Sequence, residues 1–564
     1  MKFKEYEYKR PNLDEVEQKF HQALDHFSEL SPKEQIKRIY DIVEIRKEVD
    51  SNITLVTIRH SINTKDEFYE KEVEFIDENS PRYHELVDRF YKTVMASPHL
   101  EELKEEFGDL FFDQIETQLK VFSPEIMEDL VEENKLSTKY DKLIASAEIE
   151  YDGKINNLSD MSPYLQSKDR NIRKEAYEKV NGFFTEHLEE IDQIYDELVH
   201  VRDRMAKKLG FKNFVEMGYL RMRRTDYGPE EVANYRKQVL ESVVPVSNDL
   251  REHQKKRIGV DSLKAYDLPL AFTSGNAAPH GNDDWIMKNG QTMYSELGEL
   301  PKEFFDFMTE HELFDVKARK GKQGGGYCTY IPKYRSPFIF ANFNGTSGDV
   351  DVLTHEAGHA FQVYLSRDFT LPEYVWPTYE ACEIHSMSME FLTWPWMDLF
   401  FEEEADKYRY QHLSSAVNFI PYGVTIDEFQ HFVYENPDIT PEERRKEYSK
   451  IEKKYRPYLD YDGAELLENG GFWLRQSHVF SMPFYYIDYT LAQVCAFQFF
   501  GKSREDHDKA MEDYIRLCKE GGSQSFLNLV KVAGLENPFD DGTIKRSMVK
   551  VHEYLDSVDD EQFD

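Results

Sequence analysis

The thirteen residues LTHEAGHAFQVYL, 353 to 365, constrain this chain more than any other stretch. Apolar residues on both flanks predict a mostly buried helix, and such a helix admits two histidines only where both rings find polar partners. His355 and His359 stand at i and i+4, so their side chains lie one turn apart on one face. Two imidazole nitrogens so placed can reach one zinc ion at roughly 2.0–2.1 Å. Glu356 is rotated by about 100° from His355, which sets it beside such an ion without making it a ligand. There it can take a proton from a water that the ion has acidified. Gly358 in mid-helix costs about 1 kcal/mol against alanine and points to close approach of another group.

A third ligand must come from elsewhere. A metzincin needs Gly at position 362 and His at 365; the chain has Gln362 and Leu365, which excludes that class. Downstream, YEACEIHSMSMEFLTWPW reads as a second helix with Glu380, Glu383 and Glu390 on one broad face. Any of the three can complete a His₂Glu site with an open position, and the residues alone do not choose between them.

Most of the remaining chain follows a helical period, as in NLDEVEQKFHQALDHFSEL and LEEIDQIYDELVHVRDRMAKKLG. Ser31-Pro32, Gly228-Pro229 and Thr440-Pro441 each place proline in a first turn ahead of acidic residues, and Gly210 is expected to close a helix. One segment departs from this pattern. From Gly321 to Asp351 the chain is rich in Gly, Pro and aromatics, which predicts two short strands, Tyr327–Ile331 and Phe338–Phe343, joined by a turn around Lys333–Ser336. They would form a small antiparallel sheet beside the motif helix.

Among 564 residues, 40% are hydrophobic and 14% aromatic, enough for a sizeable core. Boundaries are poorly marked; a helical N-terminal lobe over 1–170 and a larger region over 171–564 is the division read here. A net charge of −37 excludes a general nucleic-acid binder. YTLAQVCAFQFF is too short and too polar to span a bilayer. The N-terminal residues do not resemble a signal peptide, and Cys328, Cys382, Cys495 and Cys518 are scattered and read as reduced, so a cytoplasmic protein is expected. Neither a membrane nor an obligate protein partner is implied.

HEAGHAFQ followed by EIHSMSMEFL resembles the oligoendopeptidase F branch of the thimet oligopeptidase family of zinc peptidases, and in particular its compact bacterial members with Pz-peptidase activity. LRMRRTDYGPEEVANYR, KAYDLPL and HVFSMPFYYIDYTLAQV carry the resemblance across much of the chain after its N-terminal third. It implies a mostly α, elongated, two-lobed helical body with a deep substrate channel, the small antiparallel sheet lying beside the active-site helix. It implies one Zn²⁺ per chain held by His355, His359 and Glu383, with Glu356 as general base. Glu390, two turns beyond Glu383, would accept from an imidazole N–H. On the downstream segment it implies His478 and a tyrosine facing the substrate carbonyl and its oxyanion: Tyr489 first, then Tyr486, then Tyr485. Pro483 is expected to start the helix bearing the tyrosines, with His478 on the loop before it.

The implied activity is a metalloendopeptidase that cuts internal bonds of short, unstructured oligopeptides. The alternatives are a zinc metallocarboxypeptidase on a related helical scaffold and an inactive peptide-binding helical protein. On the family reading, Phe338–Phe343 would offer a free edge to an extended peptide, and Asn469-Gly470-Gly471 would serve as a hinge or a turn.

Overall fold

Carboxylates three residues beyond a cap set several helix starts. In the computed structural model, which describes residues 1–563, the N–H and Oγ of Ser31 both donate to Glu34 Oε2, at 3.0 and 2.6 Å, and open the helix Pro32–Ile62. Thr440 and Glu443 form a reciprocal pair ahead of Pro441–Tyr455, the Thr440 N–H donating to Glu443 and the Glu443 N–H to Thr440 Oγ1, and the N–H of Gly228 donates to Glu231 ahead of Pro229–Ser242. Gly210, at φ 86°, follows Leu188–Lys208, and the next N–H, of Phe211, turns back to the Ala206 carbonyl at 2.9 Å. The molecule is mostly α, as expected, with two small sheets.

The sheet beside the motif helix has three strands rather than two. Tyr327–Ile331 pairs antiparallel with Ser336–Phe343, in register Tyr327 to Phe340 and Ile331 to Ser336. A 3₁₀ turn, Pro332–Tyr334, joins them and closes on Arg335 at φ 48°. A third strand, Phe314–Lys317, lies parallel to Ser336–Phe343 on its other side. Two corrections follow: the sheet is mixed, and Phe338–Phe343 is its central strand, with no free edge for a peptide. Four residues with two charges, FDVK, carry too little alternation to be read as a strand from sequence. The second sheet, Ile149–Tyr151 with Lys154–Asn156, is a hairpin turning on Asp152-Gly153, both at positive φ.

Ser336–Phe343 leads through four residues into the motif helix, Gly348–Ser366. Asp349 fixes this entry by accepting from the N–H groups of Asn344 and Gly345 at 2.8 and 2.7 Å. The motif helix packs on Tyr379–Leu392, which packs in turn on Tyr486–Glu505; all three contribute to one continuous apolar core. The contact is close at Gly358: a Cβ there would lie 2.6 Å from the His385 carbonyl oxygen, which accounts for glycine in mid-helix. A separate apolar cluster spans Leu13 to Ile115 and takes in Leu371 and Tyr374. Among the described residues no helix is long and apolar enough to cross a membrane.

Candidate active site and metal centre

The two adjacent helices bring three ligand-type atoms together. Nε2 of His355 lies 3.2 Å from Glu383 Oε2, and Nε2 of His359 lies 3.5 Å from the same oxygen. The side chains are 22%, 12% and 4% exposed, so the nitrogens and the carboxylate converge away from bulk water. Glu380 and Glu390, the other two candidates, stand elsewhere. Glu380 is fully buried beside Arg224 and Asp226, and burial raises its carboxyl to about 6. Glu390 sits behind the histidines.

Its role there is that of a clamp. Nδ1 of His355 lies 2.7 Å from Glu390 Oε1, and Nε2 of His412 lies 2.7 Å from Oε2. Trp394 Nε1 donates to His412 Nδ1 at 3.1 Å, so the His412 proton is on Nε2 and points at Glu390. His355 likewise carries a proton on Nδ1, held by Glu390, so that Nε2 is the nitrogen facing Glu383 and His359. On the other side, Ser386 Oγ and Tyr485 OH donate to the two oxygens of Glu383 at 2.8 and 2.7 Å.

Glu356 is buried with Oε2 unpartnered, and neither it nor Glu383 has a Lys or Arg partner among the described residues. Burial raises the Glu356 carboxyl above its usual range, against the pull of His355 and His359. Its Oε1 faces Gly326, at the start of the strand Tyr327–Ile331; a Cβ on that glycine would lie 3.7 Å away. Against burial, the two imidazoles hold the Glu383 carboxyl well below its usual range, so two ring nitrogens and one carboxylate oxygen make a compact donor set. That set fits a divalent cation of borderline softness such as zinc, and no metal ion is part of this structure.

The downstream segment closes the site, though not as its sequence predicted. His478 lies within a short helix, Ser477–Ser481, and the next helix begins at Tyr486 rather than at Pro483. Phe484 between them takes φ 68°, a left-handed value that costs a bulky residue free energy and needs support. Gln430 Oε1 accepts from the Phe484 N–H at 2.9 Å, and Arg224 donates to the Phe484 carbonyl at 2.6 Å and to Asp488 at 2.7 Å. Gly218 makes room, since a Cβ there would fall 2.6 Å from the Phe484 ring. The strained turn aims Tyr485 at Glu383.

Tyr422 OH donates to Gln476 Oε1 at 2.9 Å, and Gln476 Nε2 donates to His478 Nδ1 at 2.8 Å. The His478 proton is therefore on Nε2, 3.3 Å from the Tyr489 hydroxyl. Burial holds the imidazole pKa below its ordinary value, so the ring is a neutral donor at neutral pH. His478, Tyr486 and Tyr489 line a cavity of about 390 Å³ whose opposite wall holds His355 and Glu390. Tyr486 contributes a ring 5.3 Å from the imidazole of His478. Sequence reasoning missed His412, Gln476 and Arg224. Arg224 lies inside the quoted LRMRRTDYG stretch, but no local spacing ties the other two to the motif.

The chain matches two family profiles: Peptidase M3 N-terminal domain over residues 3–122, and Peptidase family M3 over residues 163–275 and 298–549. A solved structure described as Pz peptidase A with an inhibitor is 52% identical, covers 99% of this chain and 100% of its own, and superposes with a TM-score of 0.97. A putative oligoendopeptidase F from Bacillus anthracis is 52% identical, covers 100% and 99%, and superposes at 0.92. The oligoendopeptidase F homolog of Borreliella burgdorferi is 26% identical over 71% of this chain and 69% of its own length.

Proposed function

Taking as premise that this chain belongs to peptidase family M3, as a metallopeptidase acting on oligopeptides, we propose that it is a zinc-dependent endopeptidase using Glu356 as general base. The observation that carries this reading is the convergence of His355 Nε2, His359 Nε2 and Glu383 Oε2 beside a buried, unpartnered Glu356 oxygen. His355, His359 and Glu383 would hold one zinc ion. When bound, it would supply Lewis acidity, polarising the scissile carbonyl and bringing a water's pKa toward neutrality.

The chain's own groups then divide the work. Glu356 accepts a proton from the attacking water as oxygen adds to the carbonyl carbon, and delivers it to the amine nitrogen as the C–N bond breaks. The His478 Nε2–H and the Tyr489 hydroxyl donate to the carbonyl oxygen as it takes on charge. Tyr486 walls that cavity, and Tyr485 holds Glu383 in its ligating rotamer. An extended peptide would pair with Tyr327–Ile331, the strand next to Glu356 and at the edge of the sheet, whose first three residues are only partly buried.

A separate apolar cluster from Leu13 to Ile115 supports a distinct N-terminal body, although Val121 to Met161 pack in the main core; we place the lobe at 1–170, before a catalytic region over 171–564. A cytoplasmic location is part of the proposal on the sequence grounds already given. The direct test is Glu356→Gln: stoichiometric zinc retained, with kcat on a short blocked peptide lowered by at least about 10²–10⁴-fold. Turnover near that of the wild type would remove the base from the scheme.

A further inference from the structure

The catalytic cavity continues into a second cavity of about 480 Å³, and the two share Asp351, Ser415 and Phe419 as lining residues. Three guanidinium groups reach its wall, from Arg251, Arg257 and Arg456. In a chain of net charge −37 such a grouping needs a reason.

Two of the three are neutralised by carboxylates. Arg257 pairs with Asp560, and Arg456 with Glu452 at 3.3 Å. Arg251 is not. Its Nη1 donates to the neutral Gln254 at 2.7 Å, its Nε is buried with no partner, and it pairs with no Asp or Glu among the described residues. Its one ionisable partner among them is the Tyr458 phenol, shared with Arg456; removing a guanidinium from water with so little counter-charge is costly, and chains keep such an arrangement where a ligand supplies the charge. Behind the arginines, the Tyr458 phenol shows the local sign of the field: burial would raise it, but Arg456 and Arg251 hold it down at about 8.

Two further features favour an anion. Thr346, Ser347 and Gly348 bring the N-terminal end of the 19-residue motif helix to the same cavity, with its partial positive charge. Ser414 adds a buried hydroxyl without a partner. The one acidic lining residue, Asp351, stands on the side shared with the catalytic cavity, where Tyr408 OH donates to it at 2.5 Å.

We propose that this cavity is an anion subsite that takes a carboxylate of the peptide substrate, through Arg251. The inference rests on the peptidase reading above. Eight residues of helix separate Ser347 from His355, about 12 Å. An extended peptide covers that distance in roughly three to four residues. The carboxylate is either the free C-terminus or an acidic side chain at that spacing.

Three N-blocked peptides separate these sources: a C-terminal free acid, its C-terminal amide, and that amide with its last residue replaced by Glu. Wild type is expected to cleave the acid with kcat/KM about 10-fold or more above the plain amide, chiefly through KM. Cleavage of the Glu-amide as readily as the acid would assign an acidic side chain as an equal occupant. In Arg251→Gln the acid-to-amide ratio is expected to fall to near one, and in Arg251→Lys to be partly kept. Calorimetry on Glu356→Gln reads the same ratio in binding, so a preference kept there while the wild type cleaves none of the three peptides would sink the peptidase reading and keep the subsite. Wild type treating all three peptides alike, or Arg251→Gln lowering all three by one common factor, would overturn the proposal.

Discussion

At the scale of single residues, the site depends on which nitrogen of each imidazole carries its proton. Glu390 decides this for His355, and it is itself held by His412 through the Trp394 indole. Glu390→Gln keeps the volume but replaces one acceptor oxygen with an amide donor, so it can serve only one of the two imidazoles correctly. Zinc affinity is expected to fall about 10–100-fold, read by competition with a chromogenic chelator; an unchanged affinity would dismiss the clamp. His355, Glu356 and His359 are legible in the sequence because the geometry joining them is local, one turn of one helix. Glu383 needs more, since three glutamates share its helix and only the family resemblance singles it out. His412 and Gln476 are invisible to such reasoning, because their contacts to Glu390 and His478 depend on how distant helices cross and on one exact rotamer. Tyr485 ranked behind Tyr489 and Tyr486 on pattern; its hydroxyl reaches Glu383 because Phe484 turns left-handed, which no spacing reports.

At the scale of elements, the helical layout follows from capping and period, and the failures fall where packing overrides them. The strand Phe314–Lys317 exists because Ser336–Phe343 offers it a partner, not because its own four residues demand it. The Asp152-Gly153 hairpin carries a readable turn signal, but its strands are only three residues each. The placement of His478 rests on another element, the helix Met127–Ala145. Its Glu133 accepts from Arg202 Nε at 2.6 Å and from Arg221 Nη1 at 2.9 Å. Arg202 reaches on to the carbonyls of Val479 and Phe480, in the short helix that carries His478. Burial alone would raise the Glu133 carboxyl, but Arg221 and Arg202 outweigh it and hold the pKa at about 2. A carboxyl depressed in the fold contributes stability above its unfolded value, about 4.3, and loses it as pH falls toward about 2. Glu133→Gln is therefore expected to cost about 3 kcal/mol or more at pH 7 and distinctly less at pH 3, measured by chemical denaturation. An equal cost at both pH values would contradict the pairing.

At the scale of the whole molecule, a strongly acidic chain places an arginine without a carboxylate partner, Arg251, and the neutral donors His478 and Tyr489 along adjoining cavities. That arrangement suits an extended peptide held by its backbone and one end, with the bond to be cut set between Glu356 and His478. Composition excluded nucleic acid but said nothing of these cavities, since net charge carries no position. The division of labour among zinc ligands, base and oxyanion donors stands or falls on metal dependence. The most direct measurement is cleavage of a short peptide blocked at both ends, followed by mass spectrometry through complete chelation and zinc titration. The account predicts cuts at internal bonds only, loss of nearly all cleavage on metal removal, and recovery saturating at one zinc per chain. Cleavage that persists at full rate after complete metal removal would contradict it.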